Sequence, residues 1–224
     1  MSGRTLALGD IHGCSLALRA IIRAIDPTAE DLVIALGDFV DRGPDSRGVL
    51  EQMVELVERC EVIPLQGNHE LMLLEAIESE ENLEFWLQCG GAATLDSYDG
   101  DLANIPEIHL AFFRGCRRYY ETDSHIFVHA NYDANLALQE QPDALLFWEH
   151  LMMYPDGTNT IPARHYSGKV AVVGHTPQGN GEIMDLGDLI CIDTYCFGGG
   201  WLTALEVETG QVWQADQFGN LRDK

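Results

Sequence analysis

Six residues of the 224-residue chain pair a metal-binding side chain with one recurring setting, a polar stop after a short apolar run: Asp10 and His12, then Asp38, Asn68, His129 and His175. Carboxylates, imidazoles and a carboxamide make a mixed oxygen and nitrogen donor set. Such a set suits Mn2+, Fe or Zn2+ rather than Ca2+ or an iron–sulfur cluster. Six donors are too many for one ion that must keep a position open, but a shared carboxylate divides them between two. Asp38, between the Asp10/His12 pair and the Asn68/His129/His175 group, is the expected bridge. Two divalent ions about 3.5–4 Å apart can acidify a bridging water and clamp a phosphate for in-line attack, so phosphoester hydrolysis is the chemistry expected.

The runs that must position these residues are Leu6-Ala7-Leu8, Leu32 to Leu36, Val62 to Leu65, Ile126-Phe127-Val128, Val170 to Val173 and Leu189 to Ile192. They are short, apolar and rich in β-branched residues, the pattern of buried strands. Between the early ones, Leu18, Ile21, Ile22 and Ile25 share a helical face before Pro27, and Val49, Leu50, Met53, Val54 and Val57 share another. The first half therefore reads β-α-β-α-β. Strands stop at Gly9-Asp10, Gly37-Asp38, Gly67-Asn68, His129 and Gly174-His175. Since α/β sheets bind ligands beyond the carboxyl ends of their strands, these five groups are expected to converge. Gly9, Gly13, Gly37, Gly43 and Gly67 flank the donors, where tight turns favour a residue without Cβ.

From Glu80 to Asp123 the pattern is less regular. A helix is expected around His109 to Tyr119, in a segment that caps the site or extends one side of the sheet. Its core is expected to contain Phe85, Trp86, Phe112, Phe113, Tyr119 and Tyr120. Alternation from Trp201 to Ala215 predicts a hairpin about Thr209-Gly210.

A composition 46% hydrophobic and 22% charged is that of a globular chain, expected to form a single domain over residues 1–224. The formal charge of −23, from 36 acidic against 13 basic residues with no basic run, excludes general nucleic-acid binding. No segment reaches the roughly eighteen apolar residues of a membrane span, and no signal-peptide core follows Arg4, so the expected location is cytoplasmic and away from membranes. Cys14, Cys60, Cys89, Cys116, Cys191 and Cys196 form no C-x-x-C pair and are expected to be reduced, mostly buried thiols.

Gly9-Asp10-Ile11-His12-Gly13, Gly37-Asp38-Phe39-Val40-Asp41-Arg42-Gly43 and Gly67-Asn68-His69-Glu70 resemble the three signature blocks of PPP-type serine/threonine protein phosphatases, within the calcineurin-like metallophosphoesterases. His129-Ala130 and Gly174-His175-Thr176 match the two later histidine blocks in order. One Gly-Asp-x-His-Gly is a weak motif. Five blocks in order, each after an expected strand and together spanning nearly the whole chain, are a specific one. Ser167-Gly168-Lys169 and Gly200-Trp201-Leu202-Thr203-Ala204 bring the likeness nearest to the small bacterial and phage enzymes, and bacterial diadenosine tetraphosphatases share the same blocks.

The resemblance implies an α/β fold, a metallophosphoesterase-type β-sandwich flanked by helices. It implies one ion on Asp10, His12 and Asp38, and a second on Asp38, Asn68, His129 and His175. It also implies Arg42 as phosphate clamp, His69 as general acid and Asp41 as the carboxylate that orients His69. The chemistry of these side chains supports the assignments independently. A planar guanidinium holds phosphoryl oxygens bidentately, and an imidazolium fixed by an aspartate can give a proton to a departing alkoxide.

Two positions depart from the family pattern. Phe147-Trp148-Glu149-His150 places a histidine where many relatives have a second phosphate-binding arginine, so His150 is either a substrate ligand or a helix-surface histidine. Asp193-Thr194-Tyr195 carries a tyrosine where many small bacterial members have glycine, and Tyr195 can therefore project toward the site. His109, His125 and His165 match no block and are expected to be surface or internally satisfied groups, with His165 the nearest of them to substrate. An ion pair with Asp45 is the bland alternative for Arg42.

The implied function is a two-metal phosphomonoester hydrolase, a serine/threonine or dual-specificity protein phosphatase loaded with Mn2+, or else Fe or Zn2+. Its substrate would be a phosphorylated protein or small phosphoester held by Arg42, Asn68 and His150. A diadenosine polyphosphate hydrolase is the nearest alternative, and a non-catalytic phosphoprotein-binding module a more distant one.

Overall fold

A computed structural model describes residues 3–223. The chain begins with strand β1 (Thr5–Leu8), helix α1 (Ser15–Ile25), strand β2 (Leu32–Ala35), helix α2 (Ser46–Val57) and strand β3 (Glu61–Pro64). This is the β-α-β-α-β order read from periodicity. Helices α3 (Asn68–Glu78), α4 (Glu80–Trp86), α5 (Ala92–Ser97) and α6 (Glu107–Arg114) follow. The second half runs through β4 (Tyr119–Glu121), β5 (His125–Val128), α7 (Asp143–Trp148), β6 (Val170–Val173), β7 (Met184–Asp185), β8 (Leu189–Cys191) and β9 (Asp193–Thr194). It closes on the expected hairpin, β10 (Trp201–Glu206) and β11 (Gln211–Ala215).

Two sheets result. One has the order β11-β10-β1-β2-β3 with β9 joined to β10, and the other has the order β4-β5-β6-β8-β7. Alternate side chains of each central strand enter different cores, which explains why the strands read as unbroken apolar runs. Leu6 and Leu8 of β1, with Val33 and Ala35 of β2, pack under α1 and α2. Ala7 and Ile34 face the opposite way and meet Phe127 and Val172 of the second sheet. Ile126, Val128, Ala171 and Val173 fill the outer face of that sheet, against Leu146 and Phe147. The architecture is a β-sandwich flanked by helices, as expected.

The irregular middle segment differs from its sequence reading. The helix expected to reach Tyr119 ends at Arg114, with Gly115 as its cap, and Tyr119 to Glu121 instead pair antiparallel with Ile126 to Val128. Tyrosines fit the pleated surface beside β5 better than another helical turn, so pairing overrode the aromatic helical pattern. Phe85 is 55% exposed whereas its neighbour Trp86 is fully buried, so only one of that pair is core. All six cysteines are free thiols, four of them buried. No helix among the described residues is long and apolar enough to cross a membrane.

Gly37 joins β2 to Asp38 with φ of +101°, and a Cβ there would stand 2.7 Å from the Gly67 amide nitrogen and 3.0 Å from His129 Nδ1. Gly37→Ala should lower stability by about 1–3 kcal/mol from backbone strain alone, before any displacement of His129. Chemical denaturation of the purified variant measures this, and wild-type stability would mean that the loop relaxes freely.

Candidate metal centre and active site

Each expected metal-binding residue lies just beyond a strand end, and several site residues hold a backbone conformation that L-residues rarely adopt. Among the described residues, eight non-glycine positions have positive φ; His12, Asp38, Asp41, Arg42 and His175 are five of them. Strain of about 1–3 kcal/mol per residue persists only where surrounding contacts over-determine it, and here it gathers at one place.

The imidazoles explain what that place is for. His12 donates Nδ1–H to the Val40 carbonyl at 2.8 Å, His129 donates Nδ1–H to the Leu36 carbonyl at 2.7 Å, and His175 donates Nε2–H to the Trp148 carbonyl at 3.2 Å. A carbonyl can only accept, so each bond sets the tautomer and leaves the other ring nitrogen as a lone pair. Those lone pairs converge. His129 Nε2 is 3.1 Å from Asn68 Oδ1, 3.1 Å from His175 Nδ1 and 3.5 Å from Asp38 Oδ1. His12 Nε2 lies 3.4 Å from Asp38 Oδ2. Acceptors packed this closely repel unless an electrophile stands between them, and donors about 2.0–2.2 Å from one ion stand about 3 Å apart. The donor set therefore fits divalent cations.

Asp38 belongs to both tight groups, one with His12 and His69 and one with His129 and His175, which is where a bridging carboxylate must lie. Asp10 sits slightly aside, and both its oxygens accept the His175 N–H, at 3.2 and 3.0 Å. Its place in the first group is taken by His69, whose Nε2 is 4.0 Å from Asp38 Oδ2.

Burial shapes the titration of the cluster. It pushes His12 and His175 down to about 3, so both are neutral imidazoles at neutral pH. Burial opposes the charge of Asp38, but the facing imidazoles of His129, His69, His12 and His175 hold its carboxyl below the usual range. Burial raises Asp10, with Asp193 and Asp38 adding to the effect. A carboxyl raised in this way, as at Asp10, suits a cation as well as a proton.

His69 stands apart from the other three. Its Nδ1–H donates to Asp41 Oδ2 at 2.6 Å, while Nε2 is buried with no partner. Burial lowers the pKa of this imidazole, but Asp38 and Asp41 override it and the net shift is upward. Asp41 is fixed in turn: Trp86 Nε1–H donates to Oδ2 at 2.8 Å and the Thr94 hydroxyl to Oδ1 at 2.7 Å. Trp86 thus does more than fill the cap. Thr94 carried no signal in sequence, since nothing there links it to Asp41.

Glu70 is the other residue whose role the sequence left blank. Fully buried, it accepts the amides of Gly67 at 3.0 Å and Asp38 at 2.9 Å through Oε2, and of Phe39 at 2.8 Å through Oε1. One carboxylate thereby ties the loop after β2 to the start of α3. Burial and Asp38 push its pKa upward, while His69 and the three backbone donors favour the charged carboxylate.

The remaining candidates fall into place around this cluster. Arg42 does not pair with Asp45, which caps α2 by accepting the Gly48 amide. Arg42 instead donates to His12 Nε2 at 2.9 Å and lies under the ring of Phe197, 5.0 Å from its centroid. Tyr195 turns away in a left-handed conformation and packs on Phe197, so Phe197 is the aromatic that meets His12, at 4.8 Å. The left-handed residue before a short 3-10 turn moves the exposed ring two places along. His150 lies beyond the end of α7, exposed, and stacks on His175 at 4.2 Å. His165 is buried and satisfied by Ser167 and the Leu136 carbonyl, which commits both its ring nitrogens away from substrate. His109 bonds Tyr98, and His125 bonds Ser124, as internally satisfied histidines.

Comparison with known proteins agrees with this geometry. The family described as calcineurin-like phosphoesterase matches residues 3–207. The serine/threonine-protein phosphatase 1 of Salmonella typhimurium is 30% identical over 212 residues, 90% of each chain. A symmetrical bis(5'-nucleosyl)-tetraphosphatase of Burkholderia pseudomallei is 40% identical over 73 residues, 33% of this chain and 25% of its own length. A solved structure assigned as a diadenosine tetraphosphatase superposes with a TM-score of 0.72 at 20% identity, covering 96% of this chain and 94% of the other.

Glu70→Gln would place an N–H beside backbone N–H groups that now share a carboxylate. Loss of a buried acceptor costs about 1–3 kcal/mol, and the displaced Asp38 loop should bind metal less tightly. Denaturation and metal titration together check this; full stability with full metal binding would show that Glu70 does not organise the loops.

Proposed function

The chain belongs to the calcineurin-like phosphoesterase family, and from that premise we propose that it removes phosphate from serine and threonine side chains of proteins, with two divalent cations on Asp10, His12, Asp38, Asn68, His129 and His175. The convergence of lone pairs on Asp38 carries this reading. Mn2+ is the proposed metal, in keeping with the mixed donor set. When bound, the ions supply the Lewis acidity that makes a nucleophile of water at neutral pH.

The chain's own residues do the rest. Arg42, steadied by Phe197, offers a planar fork to the phosphoryl oxygens. Asn68 stands inside the cluster, and His150 at its rim extends the phosphate-binding surface from its stack on His175. Asp41 holds the Nδ1 proton of His69, which leaves the Nε2 proton of the imidazolium as the one to be given to the departing oxygen. Trp86 and Thr94 keep Asp41 in an acceptor role and so fix the orientation of His69.

A protein substrate is favoured over a dinucleotide polyphosphate by two observations. The phosphatase relative aligns over 90% of both chains, whereas the tetraphosphatase relative aligns over 33% of this one. A formal charge of −23 also opposes the approach of a polyanion more than that of a phosphorylated peptide. Phosphoserine, phosphothreonine and phosphotyrosine peptides should be compared with diadenosine tetraphosphate at matched concentrations with Mn2+. The highest kcat/KM is expected on phosphoserine and phosphothreonine; a clear preference for the dinucleotide would transfer the chain to the other branch.

His69→Ala should slow phosphoserine hydrolysis by about 10²–10⁴, because a serine alkoxide cannot leave without a proton. Nitrophenyl phosphate, whose leaving group is stable, should slow far less while both ions stay bound. Arg42→Ala should slow both substrates by similar factors, since it touches the part they share. With chemistry rate-limiting, equal losses for His69→Ala on the two substrates would assign His69 to phosphate positioning.

A further inference from the structure

Away from the metal centre, a groove of about 500 Å³ lies between helices α1 and α2. Four of the chain's thirteen basic side chains line it, those of Arg19, Arg23, Arg47 and Arg59. In a chain with 36 acidic residues this is a local reversal of charge. Arg19 and Arg23 are exposed on one face of α1, and among the described residues they enter no ion pair or side-chain hydrogen bond. Arg47 pairs with Glu51 at 3.0 Å and Arg59 with Asp26 at 3.4 Å. Two acids of the lining are also committed, Glu51 to Arg47 and Asp45 to the Gly48 amide at 2.9 Å. That leaves Glu55 alone against two free guanidinium groups.

One end of the groove meets the active-site loops. Strands β1 and β2 are parallel, so α1 and α2 run in the same direction, and each begins just after a site block, α1 after His12-Gly13 and α2 after Arg42-Gly43. The Asp45 amide donates to the Gly13 carbonyl at 2.9 Å where the two loops meet. Arg47 stands at this end and Arg59 at the other, about 18 Å away at 1.5 Å of helical rise per residue. An extended peptide covers that length in about five or six residues. The floor of the groove is also short of one donor. Gln52 gives its Nε2 protons to the carbonyls of Ser15 at 3.1 Å and Gly48 at 2.8 Å, and its buried Oε1 has no partner. Carbonyls only accept, so the amide cannot be turned round. A peptide carries N–H donors along with its side-chain carboxylates, whereas a polyphosphate chain carries none.

We propose that this groove docks an acidic segment of the phosphoprotein substrate, with Arg19 and Arg23 taking its carboxylates. The proposal rests on the phosphoprotein reading above and adds that preferred substrates carry acidic residues near the phosphorylated serine or threonine. Planar guanidinium groups hold carboxylates bidentately, and clusters of arginine are a recurring means of recognising acidic motifs. Over most of the remaining surface an acidic segment meets like charge, so the groove also sets the direction in which the peptide lies.

Phosphoserine peptides test this at low salt, with a run of glutamates or of glutamines placed before or after the phosphoserine. In wild type with Mn2+, the glutamate peptide of one placement should have a lower KM than its glutamine counterpart. Replacing both arginines, Arg19→Gln with Arg23→Gln, should raise that KM about 3–30-fold. kcat, the glutamine peptides and nitrophenyl phosphate should be unchanged, because both side chains are exposed and lie outside the catalytic loops. Arg19→Lys with Arg23→Lys keeps the charge and should restore most of the preference, and raised salt should remove it. Equal KM for glutamate and glutamine peptides in wild type, or a preference that persists in Arg19→Gln with Arg23→Gln, would overturn the groove while the phosphoprotein reading stands. An equal loss on diadenosine tetraphosphate would make the arginines a general anion-attracting patch and overturn the peptide assignment. Hydrolysis of none of the peptides would overturn the phosphoprotein reading and this proposal with it.

Discussion

Three main-chain carbonyls, those of Leu36, Val40 and Trp148, decide the chemistry of this protein by taking one ring proton from each of three histidines. Once those protons are committed, His12, His129 and His175 can present only lone pairs to the centre, where Asp38 adds its carboxylate. Lone pairs gathered this closely would be offset by cations, which would link metal binding to folding. The second sheet supplies His129 and His175 and the first supplies the rest. A cation held by both groups would act across the interface where Ala7, Ile34, Phe127 and Val172 meet.

The loops that hold this cluster are maintained against their own preferences. Left-handed backbone at His12, Asp38, Asp41, Arg42 and His175 aims side chains that ordinary turns would send elsewhere. Glu70 offsets part of that strain by collecting three amides from two loops, and Gly37 and Gly67 allow the loops to approach so closely. The site is thus preorganised by buried hydrogen bonds rather than by the metal alone.

The cap region shows how a segment with weak sequence signals can carry function. Trp86 and Thr94 reach Asp41 from α4 and α5, and through Asp41 they set the direction of His69. Phe197 reaches Arg42 from the opposite side, after β9. His69, through Asp41, and Arg42 are thus each held by an element distant in sequence from the block that contains them. His150 and Phe197 stay accessible at the rim.

Sequence by itself determined the strands, the order of the first half and the kind of chemistry, because each rests on local patterns. Apolar runs mark strands buried on both faces, and glycine beside aspartate or asparagine marks the turns that follow them. Family likeness in five ordered blocks named the residues. Sequence could not decide which ring nitrogen of each histidine faces inward, that Glu70 clamps two loops, or that Trp86 serves Asp41. Nor could it decide that Phe197 rather than Tyr195 meets Arg42, or that α6 ends at Arg114. Each of these depends on a partner far along the chain. Hydrogen-bond direction, strand register and left-handed turns exist only once the two sheets have packed.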